Sequence, residues 1–216
     1  MTNLKPIKLL PARERVASVL RKAILSKELE KGAVITLEGI ASQLEISSTP
    51  VREAFQILAR EGLIKQRPNK GAEVQGISPK FIRDHYETRA ILERACAAAV
   101  CRSGADTDDI ENAYYKSKEA LGFGDASGYS NYNQAFHFAI WEAAGNGRIK
   151  SLLAEMWNGL SMGHKVTEEE YARISIAEHK EILEAILSGD ENLAEQRMDL
   201  HIMRSLENIL THFASL

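Results

Sequence analysis

The chain has 216 residues, of which 44% are hydrophobic and 26% charged, so it is long enough for two globular domains. Its longest uninterrupted apolar run, ACAAAVC, is too short to span a bilayer, and the N-terminus lacks the apolar core of a secretory signal. We therefore expect a cytoplasmic protein. Cys96 and Cys101 match neither a redox CxxC nor a zinc-site spacing, which predicts two buried, reduced thiols.

The charge is distributed unevenly along the chain. Residues 1–75 contain 13 Lys and Arg against 8 Asp and Glu, whereas the remaining residues contain 14 against 22. A basic region followed by an acidic one is typical of a nucleic-acid-binding domain joined to a domain that does not bind nucleic acid. Chance clustering of solvated charges is the alternative explanation.

Two helices are predicted before residue 45. Apolar residues recur at helical spacing from residue 11 to 27, at Val16, Leu20, Ile24 and Leu25. A shorter helix follows in TLEGIASQLEI, whose apolar residues recur at intervals of three and four. Only a few residues separate it from the next predicted helix, and two short helices across a tight turn form a helix-turn-helix.

The third predicted helix lies in the stretch ISSTPVREAFQILAREGLI. We predict that Thr49 is the N-cap, that Pro50 occupies the first helical position, and that Arg52 lies one turn into the helix. The apolar face of this helix comprises Val51, Ala54, Phe55 and Leu58, and the polar face comprises Arg52, Gln56 and Arg60. Two extended runs around the turn RPNKG then predict a β-hairpin.

The rest of the chain shows amphipathic segments separated by glycine-containing breaks, with no strand signal. The segments cover about residues 79–103, 106–121, 127–144, 146–161, 168–188 and 191–214. The breaks LGFGDASG, AAGN and LSGD combine helix-ending and helix-starting residues. We therefore predict an all-helical second domain and a mainly α protein.

A helix-turn-helix followed by a basic hairpin has a specific use. Its last helix lies in the major groove of DNA, with its N-terminal turn at the base edges, and the hairpin adds backbone or minor-groove contacts. Hydroxyl groups suit phosphate oxygens, while an arginine one turn in can reach guanine. The predicted DNA contacts are Ser47, Ser48, Thr49, Arg52, Arg67, Asn69, Lys70 and Gly71.

The run SSTPVREAFQILAREGLIKQRPNKGAEV resembles the winged-helix domain of GntR-family bacterial transcription regulators. The helical remainder is similar to FCD, the ligand-binding domain of the FadR subfamily. The resemblance implies a winged helix-turn-helix DNA-binding domain at residues 8–75 and an FCD effector-binding and dimerisation domain at residues 79–216. One departure is Ser48, where the family often has arginine, so the operator sequence cannot be copied from relatives.

Three of the six histidines, His137, His179 and His201, lie in predicted helices of the second domain at a spacing that suggests a shared site. His179 lies ten residues before Gly189, and His201 lies twelve after it. If LSGD turns an antiparallel helical hairpin, the two imidazoles lie at nearly the same height, offset by about 3 Å. Three neutral imidazoles and an oxygen suit zinc, nickel or another divalent metal.

The resemblance also implies which residues bind the ion. The spacing N-x3-H, then EH, then a later H is similar to metal-containing FCD domains, and implies the ligands Asn133, His137, His179 and His201. The family usually has aspartate at the first position. Arg89 matches an arginine that in relatives often faces the same cavity, where it could bind an effector carboxylate. The alternative for Arg89 is an ion pair with Glu93 on a helix surface.

These features together predict a transcription regulator, not an enzyme, that binds a roughly palindromic operator as a homodimer and responds to a small organic acid. One rival is a metal-dependent hydrolase, for which we identify no general base, because Glu178 should point away from the face that carries His179. The other rival is an architectural DNA-binding protein with a purely structural metal.

Overall fold

The computed structural model describes residues 11–67, 70–160 and 168–215. The chain divides into two compact units between Ser78 and Pro79, and Asn158–Leu160 group with the first unit. In the part of the chain that the structure describes, none of the helices combines the length and the apolar character that a membrane span needs.

The first unit contains three helices and a small sheet. In chain order its elements are α1 (Ala12–Leu25), β1 (Val34–Ile35), α2 (Leu37–Gln43), α3 (Ser48–Arg60), β2 (Ile64–Arg67) and β3 (Gly71–Val74). The sheet is antiparallel with strand order β1-β3-β2, so β2 and β3 form the predicted hairpin and β1 adds a third strand beside β3. The sequence analysis missed β1 because two residues are too few to show alternation.

Helix α3 begins earlier than predicted. Its N-cap is Ser47, not Thr49, and Pro50 occupies the third helical position instead of the first. Proline is tolerated there because the first N–H groups of a helix have no intrahelical partner. All four residues predicted for the apolar face are buried, and all three residues predicted for the polar face are exposed.

A charged contact joins α1 to the end of α3. The guanidinium of Arg21, only 3% exposed, donates to both carboxylate oxygens of Glu61, with Nε to Oε2 at 2.7 Å and Nη2 to Oε1 at 2.6 Å. Glu61 is the C-cap of α3. This bidentate pair therefore fixes the C-terminal end of α3 against α1 while leaving the N-terminal turn exposed.

The second unit contains six helices within the described residues, and their bounds follow the predicted segments closely. They are α4 (Pro79–Ser103), α5 (Asp108–Gly122), α6 (Ala126–Ala143), α7 (Gly147–Leu160), α8 (Glu168–Ser188) and α9 (Glu191–Ser215). The mainly α fold is confirmed. Helix α4 packs along α9, α5 along α6, and α8 forms a hairpin with α9. Cys96 is buried, Cys101 is partly exposed, and both are free thiols.

The predicted breaks end one helix and cap the next. Asp125 accepts a hydrogen bond from the N–H of Gly128 at 2.8 Å, and Asp190 accepts one from Leu193 at 3.0 Å. Gly189, between α8 and α9, has φ +71°, a conformation that glycine adopts without strain. The LSGD turn therefore sets the register of the α8–α9 hairpin.

We expect Glu61→Ala to lower the free energy of unfolding of the first unit by about 2–4 kcal/mol, because the buried Arg21 charge loses its carboxylate. The chain's two tryptophans, Trp141 and Trp157, both belong to the second unit. The urea unfolding transition followed by far-UV circular dichroism should therefore move to lower urea concentration, whereas the transition followed by tryptophan fluorescence should not move. Glu53→Ala, at an exposed position of α3, is the matched control. Equal shifts in both signals would contradict this assignment.

Candidate DNA-binding surface and histidine centre

The start of α3 presents polar side chains to solvent. Ser47, Ser48, Thr49 and Arg52 are all exposed. The opposite face of the same helix is buried, with Val51 and Leu58 fully enclosed. The arrangement leaves hydroxyl groups, free helix N–H groups and a guanidinium on one surface, which are the groups that contact phosphates and base edges.

The hairpin carries the other predicted DNA contacts. Arg67 is about half exposed, and its guanidinium pairs with Glu73, so a phosphate that binds Arg67 competes with that carboxylate. Lys70 is exposed, whereas Asn69 lies outside the described residues. Gly71 has φ +81°, and a Cβ there would collide with the carbonyl oxygen of Ile35. Gly71 therefore has a structural role, which is to let β3 approach β1.

In the second unit, three buried histidines from three helices meet at one point. His137 comes from α6, His179 from α8 and His201 from α9, and their ligand atoms all lie within 4.8 Å of one another. The Nε2 atom of His201 lies 3.3 Å from Nε2 of His179 and 3.3 Å from Nε2 of His137. The structure thus brings together the three histidines that the spacing singled out, and their Nε2 atoms face each other.

Glu93 holds the outer nitrogen of His137. This carboxylate is fully buried on α4 and accepts from His137 Nδ1 at 2.6 Å, from Trp141 Nε1 at 3.2 Å and from Arg89 Nε. Burial alone raises the pKa of Glu93, but the charge of Arg89 and the contact with His137 outweigh it and hold the pKa at about 2. Glu93 is therefore ionised and accepts hydrogen bonds only.

Glu178 plays the corresponding part behind His201. It accepts from His201 Nδ1 at 2.7 Å and forms a bidentate pair with Arg204, whose Nε and Nη2 lie 2.5 Å and 2.7 Å from its two oxygens. Burial raises the pKa of Glu178, but the bonds from His201 and Arg204 leave it below its usual range. Glu178 thus reaches from α8 to α9 and contacts the histidine centre, which the sequence analysis did not expect of it.

His179 is held by packing. Its ring stacks on Phe136 with centroids 4.2 Å apart, and its buried Nδ1 has no hydrogen-bond partner among the described residues. Burial, followed by the neighbouring imidazoles, lowers the pKa of His179 well below its usual value. Burial likewise lowers the pKa of His201 to about 4. Both rings are therefore neutral near pH 7.

The donor set fits a cation. Because Glu93 and Glu178 only accept, the Nδ1 atoms of His137 and His201 each carry a proton, and their Nε2 atoms face inward, 3.3 Å apart. When neither Nε2 carries a proton, these two atoms repel each other unless a positive group lies between them. Three imidazole nitrogens are ligands that zinc, nickel and other borderline divalent ions accept.

The remaining predicted residues of this site lie nearby. Asn133 precedes His137 by one turn of α6 and is partly exposed. Arg89 forms the ion pair with Glu93 that was the alternative prediction, but the location was wrong: Arg89 is 4% and Glu93 0% exposed, so the pair is buried and not on a surface. The guanidinium of Arg89 also lies 4.3 Å from the ring centroid of Trp157.

The sequence analysis did not assign Glu93, Glu178 or Arg204 to the site. Two local signals existed. Arg89 and Glu93 are four residues apart, which places them on neighbouring turns of one helix face, and Arg204 follows His201 by three residues. Neither spacing shows whether the pair is buried or exposed. Burial of α4 depends on apolar side chains from other helices, which a local pattern does not reveal.

A helix-turn-helix unit with an exposed recognition helix, followed by a separate helical unit with a buried ligand set, defines a DNA-binding regulator. Family models agree with this class. Residues 12–74 match the model of bacterial regulatory proteins of the gntR family, and residues 84–204 match the FCD domain. The chain therefore belongs to the GntR family and is one of its members with an FCD domain.

Named relatives are regulators, not enzymes. The chain is 29% identical over 198 residues to the gluconate operon transcriptional repressor of Bacillus subtilis, covering 85% of this chain and 79% of the relative. It is 28% identical over 200 residues to a D-xylose utilization operon transcriptional repressor of Paenarthrobacter nicotinovorans, covering 88% and 87%. A solved GntR regulator from Rhodococcus sp. RHA1 is 25% identical, with a TM-score of 0.65 over 92% of this chain and 97% of that chain.

Proposed function

We propose that this protein binds operator DNA through the N-terminal turn of α3 and the hairpin, and that a metal ion and a small organic acid bound in the helical unit modulate this binding. The observation that carries the proposal is the exposed polar start of α3, opposite a buried apolar face, in a chain of this family. On this assignment the DNA-binding domain covers residues 8–75, and the effector-binding and dimerisation domain covers residues 79–216.

A single recognition helix offers few base contacts. Within that helix Arg52 is the exposed side chain with the reach and geometry to bind guanine O6 and N7 bidentately. A homodimer doubles these contacts and requires an operator with two-fold symmetry. We therefore propose a roughly palindromic duplex as the target, read by Arg52 and positioned by the hydroxyls of Ser47, Ser48 and Thr49.

We expect Arg52→Ala to weaken binding to the selected operator by about 1–3 kcal/mol, because a bidentate base contact is lost. The operator is obtained by selection from random duplexes, and affinity is measured by gel-shift titration at fixed salt. Arg60→Ala is the control, because Arg60 is exposed on the last turn of the same helix and carries the same charge. Equal affinity of wild type and Arg52→Ala would remove Arg52 from the recognition surface.

The metal part of the proposal assigns a divalent ion, zinc or nickel, to His137, His179 and His201, with the amide oxygen of Asn133 as the fourth ligand. The three inward Nε2 atoms support it. Glu93 and Glu178 are each paired with an arginine, so the immediate surroundings add no net negative charge. An ion held by four neutral ligands keeps its double positive charge and attracts an anionic ligand.

The effector is accordingly a small carboxylate that binds at the ion. We propose Arg89 as its second contact. Its guanidinium already holds Glu93 and lies against Trp157, so an effector that reaches Arg89 binds beside the Glu93 carboxylate. Effector binding there would change the surroundings of α4 and α6 together, because Glu93 and His137 come from these two helices.

We expect Asn133→Asp to strengthen zinc binding and to weaken binding of a carboxylate effector, because the added negative charge attracts the ion and reduces the charge that attracts the effector. His179→Ala should abolish both. The measurement is calorimetric titration of zinc, then of candidate carboxylic acids, into metal-depleted protein. Asn112→Asp adds the same charge at an exposed position of α5 and is the control.

Two outcomes of this titration contradict the proposal. If metal-depleted wild type binds the effector as tightly as zinc-loaded protein does, the ion is structural and the shared site is wrong. If an acid binds without changing operator affinity in the gel-shift titration, the helical unit only dimerises and the protein is architectural.

A further inference from the structure

Two glutamates, the buried Glu93 and the partly exposed Glu178, lie behind the histidine centre, and each contacts one imidazole and one arginine. Arg89, Glu93 and His137 form one chain of contacts, and Arg204, Glu178 and His201 form the other. In both chains the carboxylate contacts Nδ1 and leaves Nε2 facing inward. The same arrangement thus occurs twice, built from α4 and α6 in one case and from α8 and α9 in the other.

We propose that Glu93 and Glu178 are positioning residues for the metal centre, which select the Nδ1–H tautomer of His137 and His201 and so direct two Nε2 lone pairs at the ion. The inference rests on the proposed metal site and extends it to residues outside the ligand set. Carboxylates bonded to the outer nitrogen of metal-binding histidines fix the ring orientation and make the ligand nitrogen more basic.

The two arginines determine that each glutamate side chain is ionised and accepts hydrogen bonds. Arginine can only donate hydrogen bonds, so Arg89 and Arg204 each require acceptor oxygens and keep the carboxylates ionised. The rest of the surroundings agree with this for Glu93, since Trp141 Nε1 is another donor that points at the same oxygen as His137. An ionised carboxylate surrounded by donors cannot donate to the imidazole, so its histidine must carry the proton on Nδ1.

His179 provides the contrast inside the same site. In the part of the chain that the structure describes, its Nδ1 has no hydrogen-bond partner, and its ring is held by stacking on Phe136. Packing fixes the plane of a ring but not the nitrogen that carries its proton. Of the three histidine ligands, His137 and His201 therefore have a tautomer that depends on a carboxylate. His137 depends on Glu93, and His201 depends on Glu178.

The isosteric variants Glu93→Gln and Glu178→Gln test this inference. In Glu93→Gln the amide oxygen remains with Arg89, the charged donor, so the amide nitrogen faces His137, whose Nδ1 must then accept while the proton moves to Nε2 and blocks the ion. In Glu178→Gln Arg204 contacts both side-chain positions, so either orientation of the amide sets its nitrogen against one N–H of Arg204 and weakens the support of His201. We expect each variant to weaken zinc binding by about tenfold to a hundredfold, which is the usual effect of losing such a partner.

Zinc affinity is measured on the full chain by competition with a chelator, and tautomers are read from long-range ¹H–¹⁵N correlations of the imidazole rings in metal-free protein. Glu93→Gln should convert the tautomer of His137 and leave His201 unchanged, whereas Glu178→Gln should shift the imidazole signals of His201 and leave His137 unchanged. A merely structural loss would not produce this one-to-one pattern. Glu87→Gln, exposed on α4, is the matched control and should change neither measurement.

The outcomes separate the two proposals. If wild type binds zinc and both glutamine variants bind it equally well, the positioning role is wrong and the metal site stands. Unchanged imidazole signals in the variants also overturn the positioning role. If Glu93→Gln fails to fold, Glu178→Gln decides, because its glutamate is partly exposed and less critical for packing. Failure of wild type to bind zinc overturns both the metal site and this inference.

Discussion

The packing of the helical unit depends on hydrogen bonds that stabilise the Glu93 carboxylate, a charge that water does not reach. Glu93 is fully buried, and an unpaired carboxylate at such a position would be prohibitively unfavourable. Arg89, His137 and Trp141 each supply a hydrogen bond, and together they outweigh the effect of burial. Because these donors come from α4 and α6, satisfying the charge fixes the two helices against each other and orients one face of the histidine centre.

The first unit solves a related problem with a different result. Arg21 is almost completely buried and is bound by Glu61, a residue at the end of α3. The pair uses the C-terminal end of the helix for stability and leaves its N-terminal turn available to DNA. In both units, then, a carboxylate paired with a buried arginine holds two helices together beside the candidate functional surface. Loss of the Arg21–Glu61 pair would act on the start of α3 through geometry alone.

The sequence predicted the helices well because their apolar spacing is regular and their ends carry glycine, aspartate or asparagine. It also brought His179 and His201 together, since a short turn between two helices leaves little freedom in their register. The sequence did not predict the features that depend on contacts between residues far apart in the chain. The pattern of Arg89 and Glu93 is the same on a surface as in a core, and the two-residue strand β1 is defined only by its partner β3. The N-cap of α3 is Ser47, two residues before the predicted Thr49, because three adjacent hydroxyl residues can each act as a cap.

The tryptophans give the histidine centre an optical signal. Trp141 bonds the Glu93 carboxylate, and the ring of Trp157 lies 4.9 Å from that of His137 and 4.3 Å from the guanidinium of Arg89. These are the chain's two tryptophans, so its indole emission arises entirely beside this centre. A divalent cation bound among the imidazoles would change the electric field across both rings, and the emission spectrum of the unlabelled protein would then follow occupancy of the site.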